Sequence, residues 1–247
     1  MPTAIITGAS RGLGLALARA LAERGWRLII DAREREPLEA AARELLKQTE
    51  VVALPGDVGD DWHRAALVAS AGDQLDLLVN NASVLGPSPQ PDLATYPLTE
   101  LERVYRVNVF APLALVQRAL PALKPGAAIV NVTSDAAVEA YEGWGGYGSS
   151  KAALEQFSRI LAAEKPELRV YAVDPGDMNT RLHQEAFPGE DISDRPPPEA
   201  SVPGLLALVD GDLPSGRYAA RDLATAGESE VVGPGEVGAG GAAEAHA

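Results

Sequence analysis

The segment Thr7-Gly8-Ala9-Ser10-Arg11-Gly12-Leu13-Gly14 follows a short apolar run and precedes a helical pattern. Glycine lets a backbone turn sharply and approach a phosphate closely. The N–H groups and the positive dipole end at a helix N-terminus bind such a phosphate. Because 24 of the 247 residues are glycine, the glycine spacing alone is weak evidence for a phosphate-binding turn. The position of the segment between a strand pattern and a helix pattern is the stronger evidence. The segment therefore predicts a strand–turn–helix unit that holds a dinucleotide pyrophosphate.

Similar strand and helix patterns alternate along the chain. Several of the short apolar runs are apolar at every position, which is typical of parallel strands buried on both faces. The alternation predicts a single-domain α/β fold over residues 1–224, a Rossmann-like doubly wound parallel β-sheet flanked by helices. The predicted strands are Ala4 to Thr7, Arg27 to Asp31, Val51 to Leu54, Leu75 to Asn80, Ala127 to Thr133 and Leu168 to Val173.

Glycine and proline mark the ends of the predicted helices. The first helix runs from about Leu13 to Glu23 and ends at the cap residue Gly25. An amphipathic helix is expected from Leu98 to about Leu120, and another from Tyr147 to about Glu164.

Two segments lack these patterns. Residues 187–200 include three consecutive prolines and predict a loop, which is either a lid or a plain connector. Residues 225–247 are rich in Gly, Ala and Glu, and predict a disordered tail.

Composition narrows the function classes. The formal net charge of −14 argues against binding to nucleic acid or to an anionic membrane. No run approaches the roughly 20 apolar residues of a membrane span. The absence of Cys excludes disulfides, a thiolate nucleophile and a Cys-based zinc site. We expect a soluble cytoplasmic protein with no metal site, no nucleic-acid partner and no membrane partner.

The segment Tyr147-Gly148-Ser149-Ser150-Lys151 carries the strongest chemical signal. Residues four apart share one helix face, so the Tyr147 hydroxyl and the Lys151 ammonium group can converge. A free tyrosine has a pKa of about 10, and lowering it by about three units takes roughly 4 kcal/mol, which a nearby cation can supply. Ser134 ends a predicted strand, at the sheet edge where ligands bind. Taken singly, each residue is better explained by packing or capping than by catalysis.

Together these motifs resemble the short-chain dehydrogenase/reductase family over roughly residues 3–182. The glycine spacing is similar to the family's T-G-x-x-x-G-x-G turn rather than to G-x-G-x-x-G. Asp57-Val58 resembles its adenine contact, and Asn80-Asn81-Ala82 resembles its N-N-A-G motif with Ser83 in place of the glycine. Residues 175–180 resemble its P-G-x-x-x-T loop.

The resemblance implies an oxidoreductase that transfers hydride between a nicotinamide cofactor and a carbonyl or alcohol. Tyr147 would be the general acid or base, and Ser134 would hold the substrate oxygen. Lys151 would lower the tyrosine pKa and bind the nicotinamide ribose, while Asn108 would hold a water that connects Lys151 to solvent. The implied cofactor-binding residues are Thr7, Gly8, Ser10, Arg11, Gly12, Leu13, Gly14, Arg33, Asp57, Val58, Asn80, Asn81, Ala82, Tyr147, Lys151, Pro175, Gly176, Met178 and Thr180.

The end of the second strand bears on the choice of cofactor. Asp31 is a candidate for holding a ribose 2′-hydroxyl, which would favour NAD(H). Counting as in similar family members, however, puts Ala32 at the position of the acid and Arg33 where NADP-dependent relatives often carry a base. Arg11 is a second cation able to reach a 2′-phosphate. We therefore predict NADP(H), with NAD(H) as the alternative.

The substrate is left open as a small-molecule carbonyl or alcohol. Residues 84–97, 136–146 and 178–200 are expected to shape its pocket, with Tyr141, Glu142 and Trp144 as candidate lining residues. The resemblance also implies a homodimer or homotetramer. Two alternatives are a sensor that binds NADP(H) without turnover, and an epimerase or dehydratase of the same fold.

Overall fold

A computed structural model of the chain describes residues 1–228, where parallel strands alternate with helices. The sheet has the order β3-β2-β1-β4-β5-β6-β7, which confirms the predicted doubly wound parallel sheet. The order reverses between β1 and β4, the point at which such sheets bind ligands. The strands are β1 (Thr3–Ile6), β2 (Arg27–Ala32), β3 (Val51–Pro55), β4 (Leu75–Asn80), β5 (Leu123–Val132), β6 (Arg169–Asp174) and β7 (Gly216–Ala219).

Helices cover both faces of the sheet, because successive side chains of a strand point to opposite sides. Ile6 and Ile30 pack on one face with α1 and α8, and Ile5 and Ile29 pack on the other with α3 and α5. This arrangement explains why the strands are apolar at every position. The helices are α1 (Gly12–Glu23), α2 (Arg35–Leu45), α3 (Asp61–Ala71), α4 (Leu98–Tyr105), α5 (Ala111–Ala119), α6 (Gly145–Glu164), α7 (Arg181–Ala186), α8 (Val202–Asp210) and α9 (Ala220–Glu228).

The helix expected from Leu98 to Leu120 is not regular throughout. A π-helical turn, Arg106–Phe110, separates α4 from α5 and contains the buried Asn108. In a regular α-helix the N–H of residue 112 would donate to the Asn108 carbonyl, but residue 112 is proline and has no N–H. The widened turn accommodates that loss, and turns of this kind are frequent at functional sites.

The C-terminal boundary also differs from the expectation. Residues 225–228 form the end of α9 rather than the start of a disordered tail. The stretch from residue 220 is rich in alanine, a strong helix former, and α9 packs against α8. The rest of the predicted tail, residues 229–247, lies outside the described residues.

Residues 187–197 are irregular, as expected, and end in a 3₁₀ turn, Pro198–Ser201. Within residues 1–228, none of the helices is both long enough and apolar enough to span a bilayer.

Candidate active site

A cleft of about 630 Å³ lies at the carboxyl ends of the strands. Most of the residues implied by the resemblance line it: Gly8, Ser10, Arg11, Gly12, Leu13, Arg33, Asp57, Val58, Asn81, Ala82, Ser134, Tyr147, Lys151, Pro175, Gly176, Met178 and Thr180. Four others are buried outside its lining, namely Thr7, Gly14, Asn80 and Asn108.

The glycine turn is shaped for close backbone approach. Gly8 and Gly12 have φ angles of 68° and 56°, a region that side chains disfavour. A Cβ on Gly14 would lie 2.6 Å from both the Gly8 carbonyl oxygen and the Asn81 amide nitrogen. No side chain caps the N-terminus of α1. The turn therefore presents backbone N–H groups to the cleft, in the arrangement that binds phosphate.

Thr7 supports this turn from behind. Its Oγ1 accepts hydrogen bonds from the backbone N–H groups of Asn81 and Ala82, each at 3.0 Å, and donates to the Val79 carbonyl. The Asn81 side chain donates to the Thr7 carbonyl at 2.8 Å. Asn80 instead donates to Asn131 on the next strand. Thr7 and Asn80 thus hold the cleft wall together without facing the cleft.

Asp31 does not have the geometry of a ribose ligand. Its side chain is 1% exposed, and both carboxylate oxygens are engaged within the protein. Oδ1 accepts the Gly8 N–H at 2.7 Å, and Oδ2 lies 2.9 Å from Nε2 of His63. Burial raises the pKa of this carboxyl group, although His63 and the Gly8 N–H act in the opposite direction. Asp31 is a support of the glycine turn, a role that the sequence did not reveal.

Three arginines line the cleft near the end of β2. Arg33 is exposed and forms no ion pair with the side chains that the structure describes, those of residues 1–224. Arg11 pairs with Glu34 at 2.7 Å, and Arg181, at the start of α7, pairs with the same carboxylate at 3.2 Å. These contacts hold the pKa of Glu34 below its usual range.

Helix α6 presents Tyr147 and Lys151 on one face, as the spacing predicts. The Lys151 Nζ lies 5.4 Å from the centre of the Tyr147 ring and donates to the Val132 carbonyl at 2.8 Å. Gly148 allows the helix to approach the turn after β5, because a Cβ there would lie 2.6 Å from the Ala136 carbonyl oxygen. That approach brings Tyr147 beside Ser134.

In the protein without a cofactor, the pKa of Tyr147 is raised, whereas the sequence led us to expect a lowered pKa. Burial raises the pKa of Tyr147, and burial lowers the pKa of Lys151 to about 7. Both groups lose solvation of their charged forms in this enclosed position, which favours the neutral form of each. Hydrogen bonding with Ser83 and Ser134 lowers the tyrosine pKa in part.

Ser134 and Asn108, the other two predicted catalytic residues, lie in different places: Ser134 lines the cleft and Asn108 does not. The Ser134 hydroxyl lines the cleft and donates to the Asp135 carboxylate at 2.9 Å. Asn108 is buried, and its amide bonds with Val84, Ser83 and Ser150 rather than with Lys151. Asn108 therefore contacts the cleft lining through Ser83 and Val84.

Comparison with known proteins agrees with this geometry. Residues 2–191 match the short chain dehydrogenase family profile. The chain is a short chain dehydrogenase. Within this family it is 35% identical to the uncharacterised oxidoreductase YhdF of Bacillus subtilis, over 76% of this chain and 67% of the relative. It is 33% identical to mouse sepiapterin reductase, over 74% and 76% of the two chains.

A solved structure of a short chain dehydrogenase from Shigella flexneri 2a, complexed with NADP, superposes with a TM-score of 0.81. The two chains share 27% sequence identity, and the match covers 89% of this chain and 97% of the other. The predicted family and fold are therefore confirmed.

A buried ionic network lies beside α6 in this dehydrogenase, and sequence analysis did not find it. Glu155, one turn after Lys151, accepts hydrogen bonds from Thr133 at 2.8 Å and from Arg217 at 2.9 Å. Arg217 also bonds with Asp174 and with the Ser134 carbonyl. The network joins α6 to β7 and to the ends of β5 and β6, which fixes the backbone that carries Ser134.

Aromatic rings border the site near Tyr147. The Trp144 ring packs edge-on against Tyr147 at 5.8 Å and lies 5.9 Å from Phe187. Of the three predicted lining residues, Trp144 lines the cleft, while Tyr141 and Glu142 do not. Leu85 and Leu182 complete an apolar surface beside the phenol.

Proposed function

We propose that this short chain dehydrogenase is an NADP(H)-dependent oxidoreductase acting on a carbonyl or alcohol, with Tyr147 as general acid or base. The observation that best supports this proposal is that Tyr147, Ser134 and Lys151 line the same cleft as the glycine turn. One cleft thus combines the requirements for dinucleotide binding and for proton transfer to an oxygen.

The cleft fits a dinucleotide. Positive-φ glycines and the uncapped start of α1 suit a pyrophosphate, and Pro175, Gly176 and Thr180 line the same cleft. Lys151 would bind the nicotinamide ribose. When bound, NADPH would supply a hydride to a carbonyl carbon, and NADP⁺ would accept one from an alcohol carbon.

In the reductive direction, the Tyr147 phenol would donate its proton to the substrate oxygen. The Ser134 hydroxyl would turn from Asp135 to donate to that oxygen and hold it in place. A charged Lys151 would stabilise the phenolate left on Tyr147. In the oxidative direction the phenolate would remove the alcohol proton, and Asn108 would support a water that returns protons to solvent.

Two observations favour NADP(H) over NAD(H). Asp31 uses both oxygens inside the protein, so its carboxylate is not available to the ribose hydroxyls. Arg33 and Arg11 line the same end of the cleft and offer charge-assisted hydrogen bonds to a 2′-phosphate. The solved NADP complex of a relative is consistent with this choice.

We also propose that the protein works in the cytoplasm as a homodimer or homotetramer. Phe110 and Ile160 leave large apolar surface exposed beside α5 and on α6. Light scattering after size exclusion tests this, because a mass near the 25.8 kDa of one chain would contradict it.

The decisive experiment follows NADPH consumption with a panel of aldehydes, ketones, diketones and quinones. Turnover should fall about 100-fold or more in Tyr147→Phe, which lacks the acid. Tyr105→Phe, which removes a phenol outside the cleft lining, should retain activity. Tight NADPH binding without turnover on any compound would favour the sensor alternative.

A further inference from the structure

One carboxylate at the cleft joins two arginines that lie far apart in the sequence. Oε2 of Glu34 lies 2.7 Å from Nη2 of Arg11, the residue before α1. Oε1 of Glu34 lies 3.2 Å from Nη1 of Arg181, the first residue of α7. All three residues line the cleft, together with Arg33. The guanidinium groups of Arg11 and Arg181 are therefore close enough to share one anion.

The start of α7 lies beside the glycine turn. A Cβ on Gly12 would lie 3.6 Å from Cγ2 of Thr180, the residue whose side chain caps α7. Nε of Arg181 donates to Oε1 of Glu185, one turn later in the same helix, at 2.9 Å. Because the contact with Glu34 uses Nη1 instead, Arg181 keeps a partner within α7 when the anion at Nη1 is exchanged.

Glu34 is an anion that a phosphate group can replace. Its pairing with Arg11, and with Arg181, holds the pKa of Glu34 below its usual range, so the group is a carboxylate near neutral pH. The side chain is 52% exposed and can turn into solvent, and exposed ion pairs of this kind contribute little to stability. A phosphate monoester carries more charge and three acceptor oxygens, and guanidinium groups bind it through paired hydrogen bonds.

We propose that Arg181 and Arg11 bind the 2′-phosphate of NADP(H) in exchange for Glu34, which makes Arg181 a cofactor-selecting residue. This inference rests on the proposed preference for NADP(H). NAD(H) has a hydroxyl in place of the 2′-phosphate and leaves Glu34 on both arginines. Glu34 is thus an internal competitor that only the phosphorylated cofactor displaces.

Arg181 differs from Arg11 and Arg33 in the part of the fold that supplies it. Those two residues belong to the glycine turn and to the end of β2, whereas Arg181 belongs to α7. The same helix packs Leu182 and Ala186 against the cluster that contains Tyr147. Selection of the cofactor and the apolar wall beside Tyr147 therefore share one short helix.

The test measures the binding of two small nucleotides to the full-length, cofactor-free protein by isothermal titration calorimetry at fixed ionic strength. Adenosine 2′,5′-bisphosphate and 5′-AMP differ only in the 2′-phosphate, so the ratio of their Kd values isolates that group. Arg181→Met should lower the preference for the bisphosphate about tenfold and leave the Kd of AMP unchanged. Arg24→Met removes a cation that pairs with Asp210 outside the cleft lining, and should keep the wild-type preference.

The opposite change is expected when the competing carboxylate is removed. Glu34→Gln should tighten binding of the bisphosphate about threefold without tightening binding of AMP. Glu39→Gln removes a carboxylate that pairs with Arg35 outside the cleft lining, and is the matched control.

A preference for the bisphosphate that survives in Arg181→Met would overturn the inference and leave the NADP(H) preference intact. A Glu34→Gln protein that gains no affinity for the bisphosphate would also overturn it, and a loss of AMP affinity there would mean that Glu34 binds a ribose hydroxyl instead. A wild-type protein that does not prefer the bisphosphate would overturn both proposals. Because none of these measurements requires turnover, inactivity on a substrate panel would count against the proposed reaction alone.

Discussion

The carboxylate of Asp31 accepts a hydrogen bond from the backbone N–H of Gly8 at 2.7 Å, and its other oxygen contacts His63 at 2.9 Å. A buried acid at the end of β2 thus holds the first glycine of the phosphate-binding turn.

Asp31→Ala should therefore loosen the turn. It leaves the Gly8 N–H without its acceptor, at a cost of about 1–3 kcal/mol. We expect a lower melting temperature and an NADPH affinity weakened about tenfold, as measured by fluorescence titration. Asp31→Asn keeps an oxygen acceptor and should lose less. Wild-type affinity in Asp31→Ala would refute the supporting role.

Arg33→Asp should shift cofactor preference from NADP towards NAD. Replacing a cation by a carboxylate repels the 2′-phosphate and offers an acceptor to a ribose hydroxyl. The ratio of kcat/KM for NADP over NAD should fall at least tenfold, which corresponds to about 1.4 kcal/mol. Arg35→Asp makes the same charge change at an exposed residue that pairs with Glu39 outside the cleft lining, and is the control. Equal ratios in the two variants would refute the assignment of Arg33.

Lys151 should make stability depend on pH. Its folded pKa of about 7 lies below the ordinary 10.5, so the unfolded chain binds more protons between these values. The free energy of unfolding of the cofactor-free protein should therefore gain a positive slope across this window from Lys151. Lys151→Met should remove that slope. The free energy of unfolding of this variant, minus that of wild type, should therefore be largest below about pH 7.

Urea unfolding of the cofactor-free protein at several pH values measures this difference. Lys47→Met removes a charge from an exposed site and should leave the slope intact. Parallel pH profiles for wild type and Lys151→Met would show that Lys151 keeps an ordinary pKa.

Arg217→Met should destabilise the protein by about 2–3 kcal/mol, because Glu155 is only 2% exposed and would lose its closest cation. The loss should fall below that of a fully buried pair, since Arg217 is partly exposed and Arg159 lies 3.6 Å from the other Glu155 oxygen. Urea unfolding gives the value. The double variant Glu155→Met with Arg217→Met should recover part of the loss, and a double variant less stable than Arg217→Met would contradict the pairing.

Sequence reasoning succeeded where the signal is local. The glycine turn between β1 and α1, the apolar strands and the Tyr147–Lys151 spacing each follow from neighbouring residues, because helix and strand periodicities are short-range properties. The π-helical turn also had a local signal in Pro112, which removes the N–H that a regular helix needs after Asn108.

The tertiary structure decided the contacts between segments far apart in the chain. Asp31 meets Gly8 and His63, Ser83 meets Asn108, and Glu155 meets Arg217 only because the strand order brings their elements together. Burial likewise reversed the expected direction of the Tyr147 pKa, since desolvation depends on what packs around a group. The sequence by itself identified most of the residues that meet in the cleft, and the packing decided their hydrogen-bond partners and the direction in which their pKa values shift.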